Sequence, residues 1–168
     1  MDCINRSLRL ILCFICSVSF AQQITVDNTV STQQLIENTL IQGCVEVSNI
    51  SSPSNGNSIG LGSYGYFERG ASNFPFENGI VLTTGNANSA GNGQNNTILN
   101  DGDSSWTTDN DLETTLGITN TLNATSIEFE FISISNQIQF NYILASEEYF
   151  GNFPCEYSDG FAFLIREV

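Results

Sequence analysis

The chain contains no histidine and no lysine, and its four arginines stand against eighteen acidic residues. Without histidine, the Ser-His-Asp and Cys-His catalytic arrangements and histidine-bound zinc are excluded. The scarcity of basic residues excludes nucleic-acid binding, because a formal net charge of −14 repels phosphate and anionic lipid while attracting divalent cations. Long apolar runs are missing too. Residues 10–18 are too few to cross a bilayer, and no later stretch is long and apolar enough for a transmembrane helix. No internal repeat recurs at a fixed period.

The apolar run near the start has its own reading. Arg6 and Arg9 precede it, and Ser19-Phe20-Ala21 puts small residues where a signal peptidase cuts, so residues 1–21 read as a secretory signal. Cys16 follows Ile15 rather than a small residue, which argues against a lipoprotein signal. Residues 22–168 then form one domain with enough chain for a real core. In that span Arg69 and Arg166 face seventeen acids, and two readings stand: a solubilising acidic surface, or a specific role for a bound cation. Removal of the signal leaves only Cys44 and Cys155. In an oxidising compartment these pair as a disulfide, or else remain as two buried thiols.

Gly, Asn, Ser and Thr dominate, and the apolar segments are short and rich in Val, Ile, Phe and Tyr, a pattern that favours strands joined by turns. Asn55-Gly56, Asn78-Gly79 and Asn92-Gly93 are turn dipeptides. One helix is expected near the start: Ser31 and Gln34 form a capping box, Leu35, Ile36 and Leu40 make an apolar stripe, and Gly43 ends it. Strands are expected over residues 44–50, 59–67 and 79–84, followed by a long loop over 85–110 with almost no core formers. In SIEFEFISIS, Ile127, Phe129 and Phe131 alternate with Glu128 and Glu130, and the parity change at Ile132 and Ile134 suggests a bulge. A tight turn at Ser135-Asn136 leads into Ile138, Phe140, Tyr142 and Leu144 on one face, a predicted antiparallel hairpin. Residues 160–168 are apolar on both sides and read as a central strand, so the domain is expected to be incomplete at its C-terminal end. The predicted fold is mainly β: an antiparallel, jelly-roll-like sandwich of two sheets with one short N-terminal helix.

The acidic candidates for a site fall in three places. DGDSSWTTDNDLE carries Asp101, Asp103, Asp109 and Asp111, and alternating acids on a loop suit a hard cation such as Ca2+, although the spacing is not that of an EF-hand. Against this, Asp109 or Asn110 can equally cap a short turn over residues 112–116. Strand parity puts Glu148 on the core side, where an ionised carboxylate needs a cation, and Glu147 can join it if the backbone kinks; a solvated strand end is the alternative. Asp159 before Gly160 either caps a turn or reaches into a groove. Trp106 on the acidic loop either stacks on a sugar ring as a ligand contact or anchors the loop to the core. Carboxylate pairs can support glycoside hydrolysis, but nothing singles out such a pair and no enzymatic activity is expected.

The segments TVDNTVSTQQLIENTLIQGCVEVSNIS, FENGIVLTTGN, DNDLETTLG, SIEFEF and FNYILASEEYFGNFPCEYSDGFAFLI occur in this order. Together they resemble the choice-of-anchor L domain of bacterial secreted and surface proteins. The resemblance implies an extracellular, envelope-associated module of a larger anchored protein, and it supports pairing of Cys44 with Cys155, which fall where similar sequences carry cysteines. It implies no established activity. SDGFAFLI is also similar, over these few residues, to the aspartate-glycine strand of legume-type lectins. The expected function is a secreted or cell-surface binding or adhesion module stabilised by calcium. Its partner would be an extracellular ligand such as a glycan or another surface protein. A lectin-like or glycan-active domain and a structural spacer are the alternatives.

Overall fold

The computed structural model describes residues 23–43, 45–91, 101–106, 108–133, 135–146 and 158–167. Among these, two small antiparallel sheets are joined by short helical elements. The first sheet has the order β1-β3-β4, built from β1 (Thr25–Asp27), β3 (Tyr64–Glu68) and β4 (Asn78–Leu82); β2 (Val45–Ser51) and β5 (Glu128–Ser133) form the second. The fold is therefore mixed α/β with two antiparallel sheets, rather than mainly β. The excess helix comes from a second element, α2 (Asn110–Leu116), and from short helical turns at Gly56–Ile59 and Ala87–Gly91.

The capping box forms as its sequence requires. Ser31 accepts from the Gln34 amide, and the Gln34 side chain accepts in turn from the Ser31 amide, starting α1 (Thr32–Leu35). The chain then widens into a single π turn at Ile36–Leu40 before passing Gly43. A helix this short has no intrinsic stability, so burial of Leu35 and Ile36, both fully enclosed, must hold it. α1 packs on β2 while the π turn packs on β4, which places this segment between the two sheets. A hydrogen bond from Thr32 Oγ1 to the Tyr64 hydroxyl (3.0 Å) fastens it to β3, and Asn57 Nδ2 of the Gly56–Ile59 turn donates to the same hydroxyl at 3.2 Å.

The strands agree with expectation in part. β2 and β4 lie where their patterns placed them, whereas only the end of the 59–67 segment is a strand, because Gly60 and Gly62 interrupt it. β1, three residues long, lies outside the expected strands. The bulge exists, but on the partner strand: Ser48 faces Glu130 and Ser51 faces Glu128, so β2 carries the extra residue, at Asn49 with φ of 51°. Asn49 Nδ2 donates to Glu130 Oε2 at 2.7 Å across it.

The expected hairpin after β5 is not formed. β5 pairs with β2 alone among the described residues, Ser135 and Asn136 make a bend, and residues 137–146 run on without ladder partners. Residues 160–167 are likewise not a central strand but an exposed segment. The two segments meet each other instead, through stacking of Phe140 on Phe163 (centroids 4.9 Å apart) and of Tyr142 on Phe161 (5.5 Å). Ring-on-ring contact replaces burial in a sheet here.

The core lies under the 101–106 loop. Trp106 is only 2 % exposed, Ala87 and Ala124 are buried beside the same region, and Ser63 is fully enclosed. Ser63 Oγ accepts from the Gly56 amide at 3.0 Å, so its hydroxyl is satisfied. Gly56 is required there by space: a Cβ would come within 2.8 Å of the Leu61 carbonyl and 3.0 Å of the Trp106 ring.

Candidate functional site

The acidic loop residues do not converge on one point. Asp101 Oδ2 accepts from Ser89 Oγ at 2.7 Å, tying the loop to the Ala87–Gly91 turn. Asp103 closes its own turn, accepting from the Ser105 amide and hydroxyl at 2.7 Å each; these bonds hold its carboxyl below the usual carboxylate range. Asp109 is the N-cap of α2, with Oδ1 accepting from the Asp111 and Leu112 amides at 3.1 Å and Oδ2 from Ser54 Oγ at 2.9 Å. Asp111 follows in the first turn of α2, where a negative charge faces the positive end of the helix. Gly117, at φ of 67°, ends the helix in the left-handed conformation that suits glycine. The capping reading of Asp109 is thus the one the geometry favours.

Asp109 and Asp111 do share a rim. With Pro53, Ser54, Thr108, Asn110 and Glu128 they line an open notch of about 420 Å³ between α2 and the start of β5. Three carboxylates and, among the described residues, no basic one line it, so its field attracts cationic groups. Glu128 was legible only as a solvent-facing strand residue; nothing in its alternation told of the notch, because a contact across some twenty residues is not written into local periodicity. Among the described residues no group of three or more Asp, Glu, Cys or His side chains is placed to hold a metal ion.

Asp159 lies elsewhere, its Oδ2 accepting from Ser146 Oγ at 3.5 Å on the exposed aromatic segments. Glu147, Glu148, Cys44 and Cys155 lie outside the described residues, and with them the paired-carboxylate and disulfide expectations. Of the two readings of Trp106, the geometry favours the anchor. Its ring is enclosed, and its Nε1 donates to the Ala124 carbonyl at 2.7 Å, so it anchors the loop and has no free face for a sugar.

Burial pushes the Asp109 carboxyl up, but the Leu112 amide, the Ser54 and Ser126 hydroxyls and the Asp111 amide outweigh it and hold it below its ordinary value of 3.8. A depressed carboxylate contributes stability that is complete above the unfolded value and is lost as pH falls through the folded one. Asp109→Ala is therefore expected to cost about 1 to 2 kcal/mol at neutral pH, the usual range for a lost cap. Asp109→Asn retains a capping oxygen and should cost much less. Thermal melts between about pH 7 and pH 2 should show that the Asn variant loses less stability than wild type below roughly pH 4. Equal acid losses in the two proteins would deny Asp109 this role.

The model of the choice-of-anchor L domain family matches residues 23–168. No curated protein and no solved structure matches the chain.

Proposed function

The chain belongs to the choice-of-anchor L domain family, and from that premise we propose that it is a non-catalytic binding or adhesion module, stabilised by calcium, of a larger anchored surface protein. The family is one of secreted and surface protein domains, and among the described residues no helix is long and apolar enough to cross a membrane. The observation that carries the proposal is the family match along nearly the whole chain. The acidic balance supports it, since a surface with so few cations suits an environment rich in divalent ions.

The partner proposed is an extracellular ligand, a glycan or another surface protein, and the Asp109–Asp111–Glu128 notch is where a cationic group of such a ligand would be held. Calcium needs more donors than the notch carboxylates provide, and Glu147 and Glu148, the sequence's other carboxylate candidates, lie outside the described residues. A lectin-like reading loses its stacking platform with the burial of Trp106.

The calcium part is tested by melting the protein in calcium, in chelator, and in sodium chloride of matched ionic strength. Saturating calcium is expected to stabilise by about 2 to 3 kcal/mol through binding the folded form alone, a rise of roughly 5 to 10 °C in Tm. Sodium chloride should give only a small part of that. Equal melting in all three conditions removes calcium from the proposal. A glycan array and a pull-down with intact cells test the binding role; silence in both would leave a spacer.

A further inference from the structure

Residues 108–121 leave the body of the protein and return to it at one neck. Thr108 and Thr121, at its two sides, share a hydrogen bond between their hydroxyls. Glu113 ties α2 to the same point: its Oε1 accepts from the Thr121 amide at 2.7 Å and from the Thr121 hydroxyl at 3.0 Å. Among the described residues, every hydrogen bond of residues 110–120 stays within residues 108–121. Asp109 reaches further, to the Ser54 and Ser126 hydroxyls.

The body below the neck is held firmly, and the lobe above it is not. Trp106 stands just before the neck, and its backbone and ring bond to Asn123 and Ala124 just after it, so both chain ends of the lobe are pinned to the buried core. No such anchor holds α2. None of its side chains is buried, and Leu116, 39 % exposed, leans on Gly160 of the exposed 158–167 segment. A helix of 7 residues is too short to persist by itself. α1 is shorter still but is secured by the enclosed Leu35 and Ile36, and α2 has no counterpart to them. Few buried contacts and solvent-facing backbone bonds mark the part of a protein that opens at the least free energy.

We infer that residues 109–120 form a hinged flap that opens as a unit about the Thr108–Thr121 neck, while Trp106 keeps the body beneath it closed. The notch exists only while the flap is docked. Asp109, Asn110 and Asp111 belong to the flap, whereas Pro53, Ser54 and Glu128 belong to the body, so opening parts the carboxylates of one side from that of the other. A cationic group held between Asp111 and Glu128 would draw the flap shut by favouring the docked state. This deepens the proposed function by naming how its notch is regulated. Opening itself needs no ligand, so it is tested without one, and the loss of calcium from the proposed function would leave it standing.

The experiment is native-state amide hydrogen exchange on the full chain, with and without a low concentration of denaturant. The hydrogen-bonded amides of Glu113, Ile118 and Thr121 are expected to exchange together, at least about a hundredfold faster than the ladder amides of β2 and β5 after correction for intrinsic rates. Their rates should respond weakly to denaturant, because opening the flap exposes little surface. Glu113→Ala removes the bonds to the neck and should speed the flap amides by at least about tenfold more, leaving the β2 and β5 rates unchanged. Glu113→Gln keeps an accepting oxygen and should have a smaller effect. The emission of Trp106, buried in the body, should stay as in wild type and report that each variant is folded. Flap amides that exchange only as slowly as the ladder, or at three unrelated rates, overturn the inference. So does a folded Glu113→Ala variant whose flap amides are no faster than in wild type, or whose flap and ladder amides are speeded alike.

Discussion

Trp106→Ala is expected to lower the free energy of unfolding by about 3 to 5 kcal/mol and Tm by roughly 10 to 15 °C, read by far-ultraviolet circular dichroism. Three losses combine. The largest buried side chain of the described residues disappears, and the space it leaves is bounded on one side by Gly56, which has no side chain with which to fill it. The Ala124 carbonyl loses its donor and stays buried without one. The third loss is connectivity. The backbone of Trp106 donates to the Asp103 carbonyl and accepts from the Asn123 amide, each at 3.0 Å, so the ring is the weight that holds residues 103–106 against residues 123–124. From there Thr125 Oγ1 donates to the Thr83 carbonyl and the Ser126 amide to the Ser54 carbonyl, both at 2.8 Å, linking β4 and β5 to the notch. Trp106→Phe fills most of the space but still orphans the carbonyl, so it should cost about 1 to 3 kcal/mol. A cost below about 1 kcal/mol for the alanine variant would show that the loop is held by something else.

How much of this was legible in the sequence depends on how local each signal is. The capping box at Ser31 and Gln34 is four residues long, and it forms as written. β2, β4 and β5 follow from short alternating runs and lie within a residue or two of their expected bounds. Choosing between the readings of Asp109 needed the fold. A cap and a metal ligand use the same residue type, and only the positions of Ser54, Asp111 and Leu112 around the carboxylate separate them. Trp106 was ambiguous for a similar reason, since an aromatic on a polar loop looks alike from the sequence whether it faces a ligand or the core. The hairpin after β5 was misjudged because alternation reports that a strand has a wet and a dry face, not which neighbour covers the dry one. Ile132 shows the limit most clearly: it is apolar, it sits in a strand, and it is 67 % exposed.

The bulge teaches the same lesson in backbone terms. A parity change on one strand of a pair can be absorbed by either strand, and here Asn49 on β2 absorbs it. Asparagine tolerates the left-handed conformation better than the β-branched Ile50 beside it. The family resemblance drew on several such local pieces in order, and their order survived even where single pieces were misassigned.

Leu35→Ala should be the second large effect, about 2 to 5 kcal/mol, and its character should differ from that of Trp106→Ala. Leu35 is fully buried at the junction of α1 with the π turn, and this segment touches β2 on one side and β4 on the other. The two sheets share no strand, so the side chains of α1 are one of the few physical links through which unfolding of one sheet is felt by the other. Four helical residues cannot persist in water without that packing, and the capping box contributes only about 1 kcal/mol. Truncation at Leu35 should therefore release α1 first. Amide hydrogen exchange should then show protection falling further in the β1-β3-β4 sheet, whose β3 is fastened to α1 through Tyr64, than in the β2-β5 pair, which keeps its own ladder and the Ser126 and Ser52 bonds. Ile36→Val, which removes one methylene from the neighbouring site, should cost about 0.5 to 1.5 kcal/mol and leave the pattern of protection intact. If protection in Leu35→Ala falls by the same factor in both sheets, the sheets are coupled through other contacts and α1 is merely one more packed element.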